Sequence, residues 1–178
     1  MILISFFCCN CSSNRNKNTH NYEKTADNIT IKAIKKLMFS YDLKLIGHGG
    51  SMMNNVKLIS LHFYYYQPTS IEKARNILLD ITTKLISDFN CDEKIRPFLA
   101  NYPFNENNLD IAITFLNKDN DYQSPPSIST AATRNSKIYY YNFAPEKDRL
   151  VSILEESYSE ALQKAVLTER ELNSSKAI

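Results

Sequence analysis

All three glycines of this 178-residue chain fall within one tetrapeptide, Gly47-His48-Gly49-Gly50. Glycine is the residue that readily takes positive φ angles and lets a backbone approach a neighbouring strand or a ligand closely. The tetrapeptide therefore marks the one place where the sequence indicates unusual backbone freedom. We interpret it as a tight or bulged connection between two strands, or as a loop that contacts a partner or ligand.

A phosphate-binding loop is a third interpretation of the glycine tetrapeptide. Such a loop directs successive backbone N–H groups at the phosphate from the N-terminus of a helix. Here the tetrapeptide leads through residues 51–55 into another predicted strand. The chain also lacks the dinucleotide-binding fingerprint and the Gly-Lys-Ser/Thr ending of a P-loop. The sequence therefore argues against a phosphate site.

The clearest secondary-structure signal lies in residues 56–89. Residues 56–66 alternate between apolar and mixed side chains, as a half-buried β-strand does. Pro68 ends this strand, and Thr69 with Glu72 matches the capping box that opens a helix. Apolar residues at three- and four-residue steps then predict that the helix continues to Phe89.

Similar patterns recur along the rest of the chain. Residues 91–108, with two Pro-containing motifs, predict an ordered arm that packs on the body. Strands joined by short turns predict an α+β two-layer sandwich, in which a mostly antiparallel sheet of four to five strands carries about three helices on one face. The other predicted elements are helices at 27–41, capped by Asp27, and at 148–170, and strands at 43–46, 109–115, 128–133 and 137–143.

A chain of 178 residues has room for one domain of ordinary size. We assign residues 26–170 to a single α+β domain, residues 1–25 to an apolar signal-like segment with a polar tether, and residues 171–178 to a disordered tail. The net charge is only +2, which excludes a strongly basic nucleic-acid tail and an acidic solvating tail. No apolar run reaches the roughly 18 residues of a membrane-spanning helix.

The N-terminal segment has the order of elements found in bacterial lipoprotein precursors. Its first eleven residues are uncharged and mostly apolar, and they contain the lipidation candidates Cys8, Cys9 and Cys11. The first positive charge is Arg15, whereas a secretory signal carries its basic residues before the apolar stretch. A cleaved secretory signal and a merely apolar N-terminus therefore stay open as alternatives. The expected location is the cell envelope, through an acylated cysteine, or the exterior, with the cytoplasm as the alternative.

Basic residues are concentrated in the first third of the chain. Residues 1–60 hold eight basic and three acidic side chains, a balance of +5 that the remaining residues offset with −3. Lys32, Lys35 and Lys36 fall largely on the polar side of the predicted helix at 27–41. They are interpreted as a solvated helix face, or as a contact for an anionic partner such as lipid head groups near a membrane tether.

His48 and His62 are two of the three histidines of the chain. Pairing of the strands around the glycine tetrapeptide would bring them near each other, but the sequence nominates no third ligand, so no metal or cofactor is predicted. The chain contains no nucleophile elbow, His-Glu-x-x-His helix or Cys-x-x-Cys pair. We therefore predict no catalytic residues. An enzyme that uses His48 or His62 as a general base is the alternative.

Two tyrosine triplets, 64–66 and 139–141, lie on separate predicted strands. Because side chains alternate along a strand, the helix-free face of the sheet would display Tyr64, Tyr66 and one or two rings of the second triplet. Such a face can contact a protein, a small ligand or nucleic-acid bases, or it can be aromatic packing with no ligand. The basic surround of a nucleic-acid site is missing, so nucleic acid is an alternative and not the expected partner.

Residues 47–53 with the strand that follows, and residues 93–104 with their Arg96-Pro97 and Tyr102-Pro103-Phe104 motifs, carry a resemblance. They resemble a family of small, uncharacterised, lipoprotein-like proteins of chlamydia-like and other intracellular bacteria. The resemblance covers roughly residues 25–165 of this chain. It implies an envelope location and a single compact domain, and it implies nothing about catalysis.

The sequence thus predicts a non-enzymatic, envelope-associated or secreted domain that binds a protein or a small ligand. No cofactor is expected, and the identity of the partner stays open. The predicted contact residues are Gly47, His48, Gly49, Gly50, Met52, Met53, His62, Tyr64, Tyr66, Arg96, Tyr102 and Phe104.

Overall fold

The computed structural model of the protein describes residues 19–175. The lipidation candidates Cys8, Cys9 and Cys11 lie outside the described residues. Three α-helices, six β-strands and short 3-10 turns make up the fold. In chain order the helices and strands are α1 (Thr19–Tyr41), β1 (Lys44–Ser51), β2 (Leu58–Tyr65), α2 (Ile71–Cys91), β3 (Leu109–Phe115), β4 (Thr130–Arg134), β5 (Lys137–Ala144), β6 (Arg149–Ser157) and α3 (Tyr158–Ser175).

The six strands form one sheet in which spatial order follows chain order, from β1 at one edge to β6 at the other. Only the β2–β3 pair is parallel, because α2 crosses over between these two strands, and the other four pairs are antiparallel. The predicted α+β class is therefore confirmed. The predicted number of four to five strands is too low by at least one.

The three helices form a layer against one face of this sheet. Every second residue of the strands points at that layer, and on β2 these are the predicted apolar positions Ile59, Leu61, Phe63 and Tyr65, all of them buried. Burial of one large apolar side chain contributes about 1.5–3 kcal/mol, so this alternation fixes which face of each strand meets the helices. Most of the core lies between the sheet and the helix layer, and residues 91–108 add Ile95, Leu99 and Phe104 to it.

Helix α2 supplies the largest apolar surface of the helix layer. Its N-cap is Ser70, whose side chain accepts a hydrogen bond from the backbone N–H of Lys73. The predicted cap, Thr69, instead donates its hydroxyl to the carbonyl oxygen of Gln67. The predicted helix is otherwise correct, and its buried stripe includes Leu78 and Phe89.

The largest error of the sequence-based assignment concerns residues 149–157, which were predicted to begin a helix and form β6 instead. The helical spacing of Leu150, Leu154 and Tyr158 is genuine, but pairing with β5 satisfies the backbone of this segment and buries Glu156. The true helix start is a capping box: the Ser157 hydroxyl accepts from the Glu160 N–H, and the Glu160 carboxylate accepts from the Ser157 N–H.

The ends of the other helices also differ from the prediction. Helix α1 begins at Thr19, so Asp27 lies inside it and does not cap it, and part of the predicted polar tether is helical. Helix α3 continues to Ser175, beyond the predicted end at residue 170. None of the helices within residues 19–175 is long and apolar enough to cross a bilayer.

The arm between α2 and β3 is ordered, as its prolines predict. Its backbone pairs with the β1–β2 connection, since the Val56 N–H donates to the Phe98 carbonyl at 2.7 Å and the Ala100 N–H donates to the Val56 carbonyl at 3.0 Å. Asn90 at the end of α2 binds both backbone groups of Phe104, at 2.7 and 2.8 Å. The arm is therefore a fixed part of the domain.

Candidate functional site

The face of the sheet opposite the helix layer carries no helix from residues 19–175. The helices that contact the sheet all meet it from the other side. We call this uncovered surface the open face. Its aromatic residues on β2 and β5 are partly exposed, whereas Thr114 and Thr130 on the strands between them are only 7% exposed.

Two rows of side chains cross the open face from β2 to β5. In each row, small residues on β3 and β4 lie between aromatic residues on β2 and β5. The first row is His62, Ala112, Ala132 and Tyr139, and the second row is Tyr64, Thr114, Thr130 and Tyr141. The strands β2 and β5 are three strand spacings apart, or roughly 14 Å. The rows therefore form an open trough with a floor of small residues and aromatic walls.

The aromatic walls of the open trough are ordered by ring contacts. On β2, the rings of His62 and Tyr64 meet edge to face with centroids 5.7 Å apart, and Tyr64 meets Tyr66 in the same way at 6.3 Å. On β5, the rings of Tyr139 and Tyr141 lie 6.4 Å apart and nearly parallel, at 21°. The prediction that tyrosines of both triplets share the helix-free face is confirmed by these positions.

One end of the open trough is closed by charged side chains that pair with each other. Two guanidinium nitrogens of Arg134 donate to the same oxygen of Asp110, Oδ2, at 2.9 and 2.6 Å. Beside them Lys137 donates to Glu155 at 2.5 Å. Asp110 keeps its Oδ1 oxygen as an acceptor toward the open face. Because these cations are already paired, this end of the trough is a poor site for phosphate groups.

His62 is held at the wall of the open trough by a hydrogen bond. Its Nε2 atom lies 2.9 Å from the Thr114 hydroxyl. Partial burial lowers the pKa of the His62 imidazole below its ordinary value, because the charged form loses hydration. His62 is therefore neutral at neutral pH and contributes a ring surface and one free nitrogen to the open face.

The glycines lie within β1 and not in a turn, so the predicted tight connection is wrong, although the pairing of β1 with β2 does have a bulge between Leu45 and Gly47. Only Gly50 needs to be glycine for its backbone: its φ is +158°, and an added Cβ would lie 2.0 Å from the carbonyl oxygen of Leu58. A Cβ on Gly49 would meet nothing within 4 Å, and one on Gly47 would only touch the Cβ of His62. Two of the three glycines therefore have no packing reason to be glycine.

Because Gly47 and Gly49 have no side chains, the open face has a gap beside His62. A concavity of about 330 Å³ occupies this place, and we call it the glycine depression. It adjoins the open trough because His62, Asp110 and Ala112 belong to both. Its lining residues are Gly47, His48, Gly49, Ser60, Leu61, His62, Asp110 and Ala112.

His48 and His62 do not form a pair, contrary to the proximity that strand pairing suggested. His48 is opposite Leu61, on the side of the helix layer, whereas His62 is opposite Gly47 on the open face. The His48 Nδ1 atom lies 3.9 Å from the Asp27 carboxylate of α1. The two imidazoles therefore point to opposite faces of the sheet, and no single substrate reaches both.

The remaining predicted contact residues lie away from the open trough. Met53 is 84% exposed at the β1–β2 connection, and the Met52 carbonyl accepts from the Tyr22 hydroxyl at 2.6 Å. Arg96 lies over the ring of Tyr102 at 5.1 Å, on the arm. Phe104 was predicted as a contact residue but is buried and stacks on Phe89 in the core. The glycines and the arm thus do not line one cleft.

The sequence-based prediction missed the floor of the open trough. Ala112, Thr114, Thr130 and Ala132 are ordinary strand residues, and no local pattern distinguishes them. The available signal was alternation on β3, where the helix-side residues Ile111, Ile113 and Phe115 are bulkier than the residues between them. Only the pairing of β3 with β4 between two aromatic strands turns these small residues into a floor.

Metal chemistry has no support among residues 19–175, where no group of three or more His, Cys, Asp or Glu side chains is placed to hold an ion. We take the open trough with its glycine depression as the candidate site because it brings together six of the predicted contact residues, Gly47, His48, Gly49, His62, Tyr64 and Tyr66. Relatives do not help to assign it: comparison with family models, curated proteins and solved structures finds no match for this chain.

Proposed function

We propose that this protein is a non-enzymatic binding domain of the cell envelope, or a secreted one, and that it contacts a protein partner along the open trough. The observation that carries the proposal is the uncovered face of a six-stranded sheet, with aromatic walls, a floor of small residues and a depression left by Gly47 and Gly49. Aromatic residues, tyrosine among them, are enriched at the centre of protein interfaces.

The shape of the open face favours a protein over a small molecule. Small-molecule sites are concave and enclose most of the ligand's surface, whereas the open trough is shallow and long. A trough three strand spacings wide, or roughly 14 Å, fits an extended or helical segment of a partner. Tyr64, Tyr139 and Tyr141 would supply rigid contact area and hydroxyl groups, since no hydrogen bond within residues 19–175 engages those hydroxyls.

Binding is favoured over catalysis by the surroundings of His62. A general base needs a partner that orients it and a site that excludes water. The hydrogen bond that His62 makes within the described chain goes to Thr114, and none goes to a carboxylate. The open trough is also too shallow to enclose a substrate by itself. Nucleic acid is disfavoured because Arg134 and Lys137, beside the trough, are paired with Asp110 and Glu155.

Crosslinking in the source cell tests the contact with a protein. A photoreactive amino acid replaces Ala132 on the trough floor, and in the control it replaces Glu72 on the exposed side of α2. We expect one discrete protein adduct from position 132 and none from position 72. The adduct should disappear when Gly49→Thr fills the glycine depression, where a Cβ on residue 49 would meet nothing within 4 Å. Equal adducts from both positions, or none from position 132, would contradict the proposal.

The envelope location rests on the N-terminal cysteines and the resemblance described above, and it needs its own test. Cells that express the full chain are fed a clickable fatty acid. We expect label on the wild type and its loss when Cys8, Cys9 and Cys11 are replaced by serine. An unlabelled wild type would contradict acylation, and the proposal would then be limited to a secreted protein without an acyl group. Label that survives the triple replacement would exclude these cysteines as the attachment sites.

A further inference from the structure

Helix α1 carries a basic face that the binding site on the sheet does not use. Four lysines and two large apolar residues occur on it at helical spacing, and all six residues are exposed to solvent. We call this surface the α1 basic face. Its members are Lys24, Ile31, Lys32, Lys35, Lys36 and Phe39.

The apolar members of the α1 basic face are unusually accessible. Phe39 is 90% exposed and Ile31 is 40% exposed, while the opposite side of α1 buries Ala26, Ala33 and Ile34 in the core. A helix that already buries one apolar stripe has no folding reason to expose a phenylalanine on the other side. The exposed aromatic ring among lysines is therefore available for contact with a partner outside the domain.

The lysines of the α1 basic face are free of ion pairs within residues 19–175. Of the acidic side chains on α1 and near the end of α2, Asp27, Asp88 and Asp92 have other partners, whereas Glu23 lies next to Lys24 in the chain. Asp27 faces His48, Asp88 of α2 pairs with Lys84 at 2.6 Å, and Asp92 accepts the N–H groups of Lys94 and Ile95. The four lysines of α1 exceed its two acidic side chains, Glu23 and Asp27, and this excess positive charge is available to an anionic partner.

We propose that the α1 basic face binds the surface of an anionic lipid bilayer. Lysines at a bilayer surface are attracted to anionic head groups, and each contributes roughly a fivefold gain in affinity. Large apolar side chains between the lysines insert at the boundary of head groups and acyl chains, as in interfacial helices. Nucleic acid would use the lysines but would leave Ile31 and Phe39 without a role, so the bilayer is the better match.

The position of α1 in the chain supports this partner. Helix α1 follows directly on residues 1–18, which contain two further cations, Arg15 and Lys17, and the candidate acylation sites. A single acyl chain gives only marginal, reversible membrane binding, and stable anchoring requires a second signal such as a basic patch. The α1 basic face would be that second signal.

The proposal also agrees with the layout of the domain. The helix layer and the open face are on opposite sides of the sheet, so a domain that rests on α1 directs the open trough away from the bilayer. The inference goes beyond the proposed contact with a protein partner, because it concerns a different surface. The two can fail separately, since neither the open trough nor an acyl group is needed for lipid binding by α1.

Vesicle binding by the full chain with Cys8, Cys9 and Cys11 replaced by serine tests the inference without any acyl group. One set of vesicles contains phosphatidylcholine and phosphatidylglycerol in equal parts, and the other contains phosphatidylcholine alone. We expect binding only to the anionic vesicles, and weaker binding as salt is added. Failure to bind the anionic vesicles would overturn the inference.

Charge-reversal variants locate the contact. The triple variant Lys32→Glu, Lys35→Glu, Lys36→Glu should bind the anionic vesicles at least about 100-fold more weakly. The matched control reverses three exposed cations outside α1, with Lys118→Glu, Lys147→Glu and Arg149→Glu, and has the same net charge. It should keep most of the affinity. An equal loss in both variants would mean that net charge alone attracts the chain, and the inference would be wrong.

The apolar contribution separates a bilayer from other polyanions. Phe39→Ser should weaken vesicle binding by about tenfold, because the ring leaves the lipid, and should not change binding to a short RNA. Unchanged vesicle binding in Phe39→Ser, or RNA binding as tight as vesicle binding, would replace the bilayer with a purely ionic partner. Gly49→Thr should bind vesicles like the parent chain, which keeps this test independent of the open trough.

Discussion

Glu155 and Glu156 are neighbours on β6, yet they belong to opposite faces of the sheet and have different roles. The Glu155 side chain is 49% exposed on the open face and binds Lys137. The Glu156 side chain is 2% exposed beneath the helix layer and accepts hydrogen bonds from Arg75, Lys164 and Tyr140. The same type of side chain is thus part of the core on one face and of a solvated surface on the other. The helix layer, not the residue type, decides the role.

The buried cluster around Glu156 joins four elements of the domain. Arg75 of α2 donates from Nε at 2.7 Å, Tyr140 of β5 donates its hydroxyl at 2.6 Å, and Lys164 of α3 donates at 2.7 Å. A buried charge is tolerated when it is paired and its lone pairs are satisfied, as they are here. The open face has no comparable cluster, so changes there should affect binding more than stability.

Substitutions of two neighbouring residues of β2 should show the largest difference in stability loss between the two faces. Phe63 is fully buried under the helix layer, and Phe63→Ala should lower the free energy of unfolding by about 4 kcal/mol because it leaves a cavity. Tyr64 is half-buried on the open face, and Tyr64→Ala should cost about 1 kcal/mol. Urea unfolding of both variants measures the difference. Equal losses would mean that the open face is covered as tightly as the other.

The carboxylates of β6 provide the same comparison for charged groups. Glu156→Gln should cost about 3 kcal/mol, because it leaves the buried Arg75 guanidinium without its counter-ion. Glu155→Gln, the matched control one residue earlier, should cost under about 1 kcal/mol because its ion pair is half-exposed. Chemical denaturation measures both values. A loss at Glu155 as large as that at Glu156 would break the distinction between the faces.

Sequence patterns located the buried face well, for a physical reason. The alternation of β2 and β3 and the apolar stripe of α2 follow from local geometry, because burial selects side chains at a fixed period. Strand β6 was missed because Leu150, Leu154 and Tyr158 satisfy helical spacing equally well. The hydrogen-bonded pairing with β5 makes this segment a strand and not a helix, and a short stretch of sequence does not show which strand it will pair with.

The residues of the candidate site were predicted only in part, since the strand order decides which side chains lie next to each other. Tyr64 and the pair Tyr139 and Tyr141 could be placed on the helix-free face from alternation alone. The floor between them required the order of the six strands. The composition of the chain draws attention to the glycine tetrapeptide, but it does not predict the position of these residues within β1, where only Gly50 has a φ that favours glycine.

The glycines of β1 should themselves respond differently. Gly50→Ala should cost about 2 kcal/mol, because the new Cβ meets the Leu58 carbonyl and the backbone conformation suits glycine. Gly49→Ala should be neutral or stabilise by about 0.5 kcal/mol, since the alanine fits and the unfolded chain loses freedom. Thermal or urea unfolding compares the two. A large loss at Gly49 would show that its glycine serves the fold and not the depression.

Acid should weaken the helix-covered face in a defined pH range. Burial alone would raise the pKa of Glu156, but hydrogen bonds from Arg75, Lys164 and Tyr140 outweigh it and hold the pKa below its ordinary value of 4.5. The stabilisation is therefore complete above pH 4.5 and is lost as the pH falls through the lower pKa of the folded state. The free energy of unfolding, measured from neutral pH downward, should fall less steeply with pH in Glu156→Gln than in the wild type. An identical pH dependence in both proteins would contradict this role.

The smallest expected effect belongs to His62 on the open face, and it falls in a separate pH range. Burial lowers the pKa of His62 below 6.5, so its contribution to stability is complete above pH 6.5 and is lost as the pH falls through the folded-state value. His62→Gln should remove this slope, and His48→Gln should keep it because His62 is still present. Should His62→Gln retain the slope of the wild type, His62 would be as well hydrated in the folded chain as in the unfolded one. The wall of the open trough would then be too open to exclude water from a bound partner, and the contact surface would have to lie elsewhere on the sheet.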